Sequence, residues 1–217
     1  MLKELLNLFR SDDALARMGQ DFGTMVDLSY GLTLHAGRIF FGEEAEGEDG
    51  ALELIHRDRK INKLERRIRK QVITHLTLGS HAGDVPYCLL LMGIVKDVER
   101  LGDYAKNLAE IHDEGGGPVP DDENGRELGA IRESVEQIFG EVNDVFASSD
   151  SETAIDLIWK GRAVGRRCDA LIRATAASTY AAATTTSMVL GARYYKRIES
   201  HLLNVLSGIV MPLHKLN

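Results

Sequence analysis

The sequence predicts an all-α fold: two tandem, pseudo-symmetric three-helix bundles, six long helices in all. Three observations carry this expectation. Apolar residues recur at spacings of 3 and 4 over long stretches, the period of one buried helix face. No segment alternates apolar and polar residues at period 2 with β-branched enrichment, as a half-buried strand does. The four prolines of the 217 residues, Pro86, Pro118, Pro120 and Pro212, fall outside the interiors of the periodic stretches, so nothing breaks the helices there.

The first helix is expected over residues 13–41. An acidic, glycine-rich stretch, FGEEAEGEDG at 41–50, separates it from a second helix over 51–78, whose stripe is Leu54, Ile61, Leu64, Ile68, Val72 and Leu76. The third starts near Asp84-Val85-Pro86, where a capping residue and an early proline suit a helix N-terminus. It carries Leu91, Val95, Val98, Leu101, Ala105 and Leu108 and stops at Gly115-Gly116-Gly117-Pro118. Residues 112–125, HDEGGGPVPDDENG, cannot continue a helix and read as a linker. They divide the chain into units 1–113 and 122–217.

The second half repeats the plan. A fourth helix is expected over 125–146, with Leu128, Ile131, Val135, Ile138, Val142 and Val145 in phase. Residues 148–154, SSDSETA, offer caps for a fifth helix over 152–177. The sixth spans 184–211 and ends at Pro212. Two faint repeats support duplication. Glu99-Arg100-Leu101 and Asn107-Leu108 align with Lys196-Arg197-Ile198 and Asn204-Val205 at an offset of 97. Ile61-Asn62-Lys63-Leu64 aligns with Cys168-Asp169-Ala170-Leu171 at an offset of 107.

Composition excludes several classes. The formal net charge is −7, a poor basis for general nucleic-acid binding, which needs a basic face against phosphates. The longest apolar run, 87–92 extended to 95, is far short of the about 20 residues of a membrane-spanning helix. The N-terminal MLKELLNLFRSDD carries acids and lacks a small-residue cleavage site, so no secretory signal is expected. Cys88 and Cys168 make no CxxC pair and no disulfide framework, which suits a reducing cytosol. A cytoplasmic protein is therefore expected. No phosphate loop, GxSxG elbow, HExxH pair or zinc-spaced Cys/His cluster occurs, and no enzyme is expected.

Chemistry concentrates on helices two and three. Glu99 and Asp103, at i and i+4, share one face and border the apolar seam. Asp58, Asn62 and Glu65, at i, i+4 and i+7, border the seam of helix two. If the seams pack together, four carboxylates and an amide converge, a donor set for a hard divalent cation, iron or manganese. The plain alternative is a set of exposed acids paired with Arg100, Lys60 and Lys63, each pair worth little. Residues 57–70 hold eight basic side chains of fourteen. They read either as a docking face for an anionic partner or as a solvated face balancing the acidic 43–53 stretch. His201 and Glu199, at i and i+2, point to different helix faces. Trp159 and Tyr194-Tyr195 suit core or interface positions.

Segments RDRKINKLERRI (57–68), VERLGDYAKNLAEI (98–111) and YYKRIESHLLNVLSGIVMPLHKL (194–216) resemble the phosphate transport regulator family PhoU. The pattern Glu99-Arg100-Leu101-Gly102-Asp103 with Asn107 is the most specific part. The resemblance implies a symmetric pair of three-helix bundles whose E(D)xxxD motifs bind metal clusters. It implies a cytoplasmic homodimer acting with a phosphate transporter at the inner face of the membrane and a sensor histidine kinase to restrain phosphate uptake. It makes Asp58, Glu99 and Asp103 ligand candidates for iron, zinc, manganese or magnesium, with Asn62 where relatives often have an acid. In the second half Lys196, Ser200 and Gly165 stand at the matching positions and only Asp169 is retained, so that site is expected to be lost or rebuilt. Sodium/phosphate symporters and other ion transporters are alternative partners. A metal-dependent helical-bundle enzyme is the rival class; Glu53–His56 is a single i,i+3 pair without a second, which counts against it.

Overall fold

The computed structural model describes residues 13–44, 48–78 and 82–215; the reading of residues 1–12 lies outside them. Among the described residues there are six long helices: α1 Asp13–Phe40, α2 Glu48–Thr77, α3 Val85–Ala109, α4 Glu123–Ser148, α5 Ser151–Ala176 and α6 Ala182–Val210. Single 3-10 turns sit at Ala82–Asp84 and Leu213–Lys215. Among the described residues there is no strand.

The ends of the helices show where local chemistry and packing part company. α2 starts at Glu48, three residues before the expected position, so part of the acidic stretch is helical. α3 stops at Ala109, well before the glycine run. Glu110 keeps near-helical dihedrals, and the turn closes at Gly115 with φ +93°, a conformation that glycine adopts without a Cβ penalty. Asp84 precedes α3, but its side chain does not cap it. Its Oδ2 lies 2.9 Å from His75 Nε2 instead, tying the end of α2 to the start of α3. Asp122 and Asp150 are true caps: their carboxylates accept from Gly125 N (3.0 Å) and from Glu152 and Thr153 N (3.1 Å each).

The segment over 112–125 is stitched down at several points. Gly117 N donates to Ala183 O at 2.9 Å, and Ser187 Oγ donates to Gly117 O at 2.6 Å. His112 Nε2 lies 2.9 Å from Phe40 O. A Cβ on Gly125 would stand 1.8 Å from Pro120 O, so only glycine lets the chain fold back onto α4.

Helices α1, α2 and α3 pack against one another, as do α4, α5 and α6. The two triads meet through α3 on α6 and α1 on α4, which leaves α2 and α5 outermost. Their apolar stripes merge into one core, from Leu15 and Phe22 through Leu91 and Ile94 to Leu202 and Leu206. The offset of 97 is visible in the packing. It relates Tyr104 to His201, and these two rings stack on each other with centroids 5.6 Å apart. It relates Asp97–His201 to Tyr194–Tyr104, and both pairs are in contact, at 2.7 Å and at 6.2 Å between centroids. The pseudo-dyad therefore runs between α3 and α6. Of the aromatic residues, Tyr195 is fully buried, but Trp159 is 62% exposed beneath the Arg162 guanidinium, so it fills no core position.

Ile94 of α3 lies against Gly208 of α6 across the seam between the triads. Ile94→Ala is expected to destabilise the protein by about 2–5 kcal/mol. Urea denaturation followed by circular dichroism and by Trp159 fluorescence checks this; both probes should shift together, because the triads share a core.

Candidate functional site

α2 and α3 lie side by side because a glycine faces an isoleucine. Ile61 is fully buried, and a Cβ on Gly102 would stand 3.1 Å from its Cδ1. Glu99 and Asp103 flank Gly102 on α3; Asp58 and Asn62 flank Ile61 on α2. Glu99 is only 7% exposed. Its Oε2 lies 2.6 Å from Lys96 Nζ and 3.9 Å from Arg100 Nε, yet it has no hydrogen bond of acceptable geometry. Asp58 Oδ1 is likewise buried without a donor, while its Oδ2 accepts from Asn62 Nδ2 at 3.2 Å. Asp103 Oδ2 accepts from Arg100 Nη1 at 3.1 Å. Burial, first, and then the nearby charge of Glu99 push the Asp103 carboxyl above its ordinary range; Arg100 opposes this and Asp58 adds to it. Glu99 and Asp58 thus both bear electrostatically on Asp103.

Asn62 and Glu65 play lesser parts. Asn62 spends its amide on Asp58. Glu65 pairs with Arg69 Nε at 2.7 Å along its own helix and is not among the groups acting on Asp103. Lys60 and Lys63 pair with none of these acids; Lys96 and Arg100 do. Among the described residues, no three His, Cys, Asp or Glu side chains stand close enough together to hold a metal ion as they are. Asp58 Oδ1 is left without a donor, and Glu99 Oε2 faces only the Lys96 and Arg100 cations of its own helix; carboxylate oxygens are the donors that a hard divalent cation takes.

The matching place in the second half is built differently. Lys196 occupies the position of Glu99, and its Nζ donates to both oxygens of Asp169 at 2.6 Å. An ammonium belonging to the chain joins α5 and α6 there. Glu199, one turn further on, is 3% exposed. Its oxygens rest over α5, where a Cβ on Gly161 or Gly165 would stand 3.2 Å from them. Burial pushes its carboxyl up to about 7, against the pull of Lys196 and Arg162. Sequence reasoning noted Glu199 beside His201, on a different helix face, and gave it no buried role. The available signal was its phase: it falls on the stripe of Tyr195, Ile198 and Leu202, opposite a Gly-x-x-x-Gly spacing.

A polar cluster also sits on the pseudo-dyad. Asp97, 8% exposed, accepts from His201 Nδ1 at 2.7 Å and from Asn204 Nδ2 at 2.8 Å. His201 therefore serves Asp97 of the other triad and not Glu199. Cys88 and Cys168 are buried and form no disulfide among the described residues; burial pushes the Cys168 thiol up to about 12, so it is held as an inert thiol.

Residues 15–112 match the PhoU domain family. Over 104 residues the chain is 32% identical to a phosphate-specific transport system accessory protein PhoU homolog of Synechocystis sp., a match covering 46% of this chain and 44% of that protein. Over 102 residues it is 36% identical to an uncharacterized protein of Deinococcus radiodurans, with the same coverage, 46% and 44%. The matched region thus spans less than half the length of these relatives. The whole fold resembles the phosphate transport system regulatory protein PhoU from Streptococcus pneumoniae, with a TM-score of 0.79 at 17% identity over 93% of this chain and 95% of that one. It also resembles PhoU from Pseudomonas aeruginosa, with a TM-score of 0.70 at 21% identity over 97% of each chain.

The buried Glu199 makes stability depend on pH. Its folded-state value lies above the unfolded one, so the folded protein holds the proton more tightly. Stability is greatest below about pH 4.5 as far as this group is concerned, and falls as pH rises through about 7. Glu199→Gln is expected to stabilise the protein at pH 8 by a few kcal/mol at most, with the gain vanishing near pH 4. Thermal melts of both proteins across that range provide the check.

Proposed function

We propose that the protein, whose residues 15–112 match the PhoU domain family, regulates phosphate uptake and the phosphate-starvation response. It acts by contact with other proteins, a membrane phosphate transporter and a sensor histidine kinase, from the cytoplasmic side and as a homodimer. The PhoU match over the half that carries Asp58, Glu99 and Asp103 is the observation that supports this reading most. No turnover is required of it: the acids sit at a helix seam, and both cysteines are buried. No helix among the described residues is long and apolar enough to cross a membrane, which is compatible with a partner that brings the chain there. The serviced transporter is either a phosphate ABC system or a sodium/phosphate symporter.

In this proposal Asp58, Glu99 and Asp103 hold a divalent or iron-type cation, which supplies positive charge between α2 and α3. Their mutual repulsion sets the spacing of the two helices. A cation bound more tightly in one spacing shifts the population toward it, and the outer helix α2 then presents a different face to the partner. Lys196 gives the second half the same neutralising charge permanently, so one half responds to metal and the other does not.

Two measurements test this. Tagged protein is expected to retain a phosphate transporter or a sensor kinase from membranes, in proportions that differ between cells grown at high and low phosphate. Recovery of neither under both conditions overturns the regulatory reading. Elemental analysis is expected to show bound metal in the wild type, and little in Glu99→Ala with Asp103→Ala; unchanged stoichiometry rejects the metal site while leaving the partner contacts standing.

A further inference from the structure

We infer that the outer face of α2 is an electrostatic docking surface for anionic lipid headgroups. Arg59, Lys60, Lys63, Arg66, Arg67 and Lys70 are all exposed. At 100° per residue they fall within an arc of about 120° and along a line of about 17 Å. Asp58 and Glu65, on the same helix, lie on the other side, toward α3. The charge is therefore segregated on a chain whose net charge is −7.

The described neighbouring acids are engaged elsewhere. Glu43 accepts from Arg132 of α4 at 2.6 and 3.0 Å. Glu44 pairs with Arg38 at 2.9 Å and with His35 at 3.3 Å. Glu53 pairs with Arg57, at 2.6 Å, which precedes the stripe. Of the stripe itself only Arg67 has an ion pair among the described residues, with Asp21 of α1. Like charges this close repel one another in water; with five of them exposed and without a carboxylate partner among the described residues, free energy falls when an anionic surface is brought up.

Apolar features point to lipid and away from an acidic protein. Ile55 and Ile73, 38% and 55% exposed, lie about 20° beyond one edge of the stripe. Between α1 and α2 lies an open groove of about 330 Å³ with Leu28 and Leu64 in its wall and Lys60, Lys63 and Arg67 at its rim. Cations over an aliphatic wall match a phosphate over a hydrocarbon stem. A helix with basic residues on one face and aliphatic side chains beside them lies in the headgroup layer, and each Lys or Arg near an anionic leaflet adds to the attraction. This inference does not rest on the phosphate-regulator reading, since the lipid itself is the partner.

Co-sedimentation of the full chain with vesicles tests it without any transporter present. Binding is expected to vesicles of phosphatidylglycerol mixed with phosphatidylcholine at low salt, and to weaken at high salt. Lys60→Gln with Lys63→Gln, Arg66→Gln and Lys70→Gln is expected to weaken it roughly tenfold or more. These are exposed positions, so helical content by circular dichroism should be unchanged. A second variant, Ile73→Ser, is expected to weaken binding with no change in its salt dependence. Equal sedimentation with pure phosphatidylcholine, or no loss in the quadruple variant, overturns the inference. So does binding to soluble poly-glutamate without binding to anionic vesicles, which marks an acidic-protein face.

Discussion

A carboxylate buried at a helix seam has to be matched by positive charge, by hydrogen bonds or by a proton. This protein meets that requirement in three ways on one architecture. In the first triad Lys96 and Arg100 supply positive charge at Glu99 Oε2, while Asp58 Oδ1 is left without a donor. In the second, Lys196 spans to Asp169 with both of its oxygens engaged. One turn on, Glu199 has only weak cationic help and is held toward its protonated form. An unmatched buried charge costs several kcal/mol, so each arrangement constrains how its two helices can move.

The two triads are related in fold but not in charge. The pseudo-dyad survives as a stacked pair, Tyr104 on His201, because ring stacking tolerates the exchange of one aromatic for another. The Asp97 network next to it exists on one side only; its symmetry counterpart is a contact between Tyr194 and Tyr104. Backbone packing requires volume and phase, and those were kept. Electrostatic function depends on individual atoms, and there the halves diverged. A single core linking α3 to α6 and α1 to α4 means that a change of spacing in one triad is felt by the other.

Surface charge is organised as firmly as the buried charge. The acidic stretch before α2 turns its described carboxylates toward α1 and α4, with Glu43 on Arg132 and Glu44 on Arg38. That leaves the basic line of α2 facing outward. The same helix thus has two electrostatic faces, acidic toward α3 and basic toward solvent. Any event that alters the seam with α3 also moves the outer stripe, since both belong to one rigid rod.

The helices and their order were legible in the sequence, because periodic burial writes itself into spacings of 3 and 4. The caps of α5 were legible in SSDSETA, where Asp150 takes that role, and Asp58, Glu99 and Asp103 stood out by their phase; Asp122, inside the linker, caps α4 without having been singled out. Other features depended on partners far along the chain. Asp84 looks like a cap, but His75 competes for its carboxylate. Trp159 suits either core or an interface, and α5, an outermost helix, leaves its ring exposed to solvent, which removes the core alternative. Glu65 shares the line of Asp58, yet Arg69 holds it within α2. Asp97 and His201 carry no recognisable spacing, because 104 residues separate them. Periodicity reports which face of a helix is buried; only the packing of whole helices decides which charges then meet, because electrostatic pairing depends on distances of a few ångströms between atoms that sequence order does not relate.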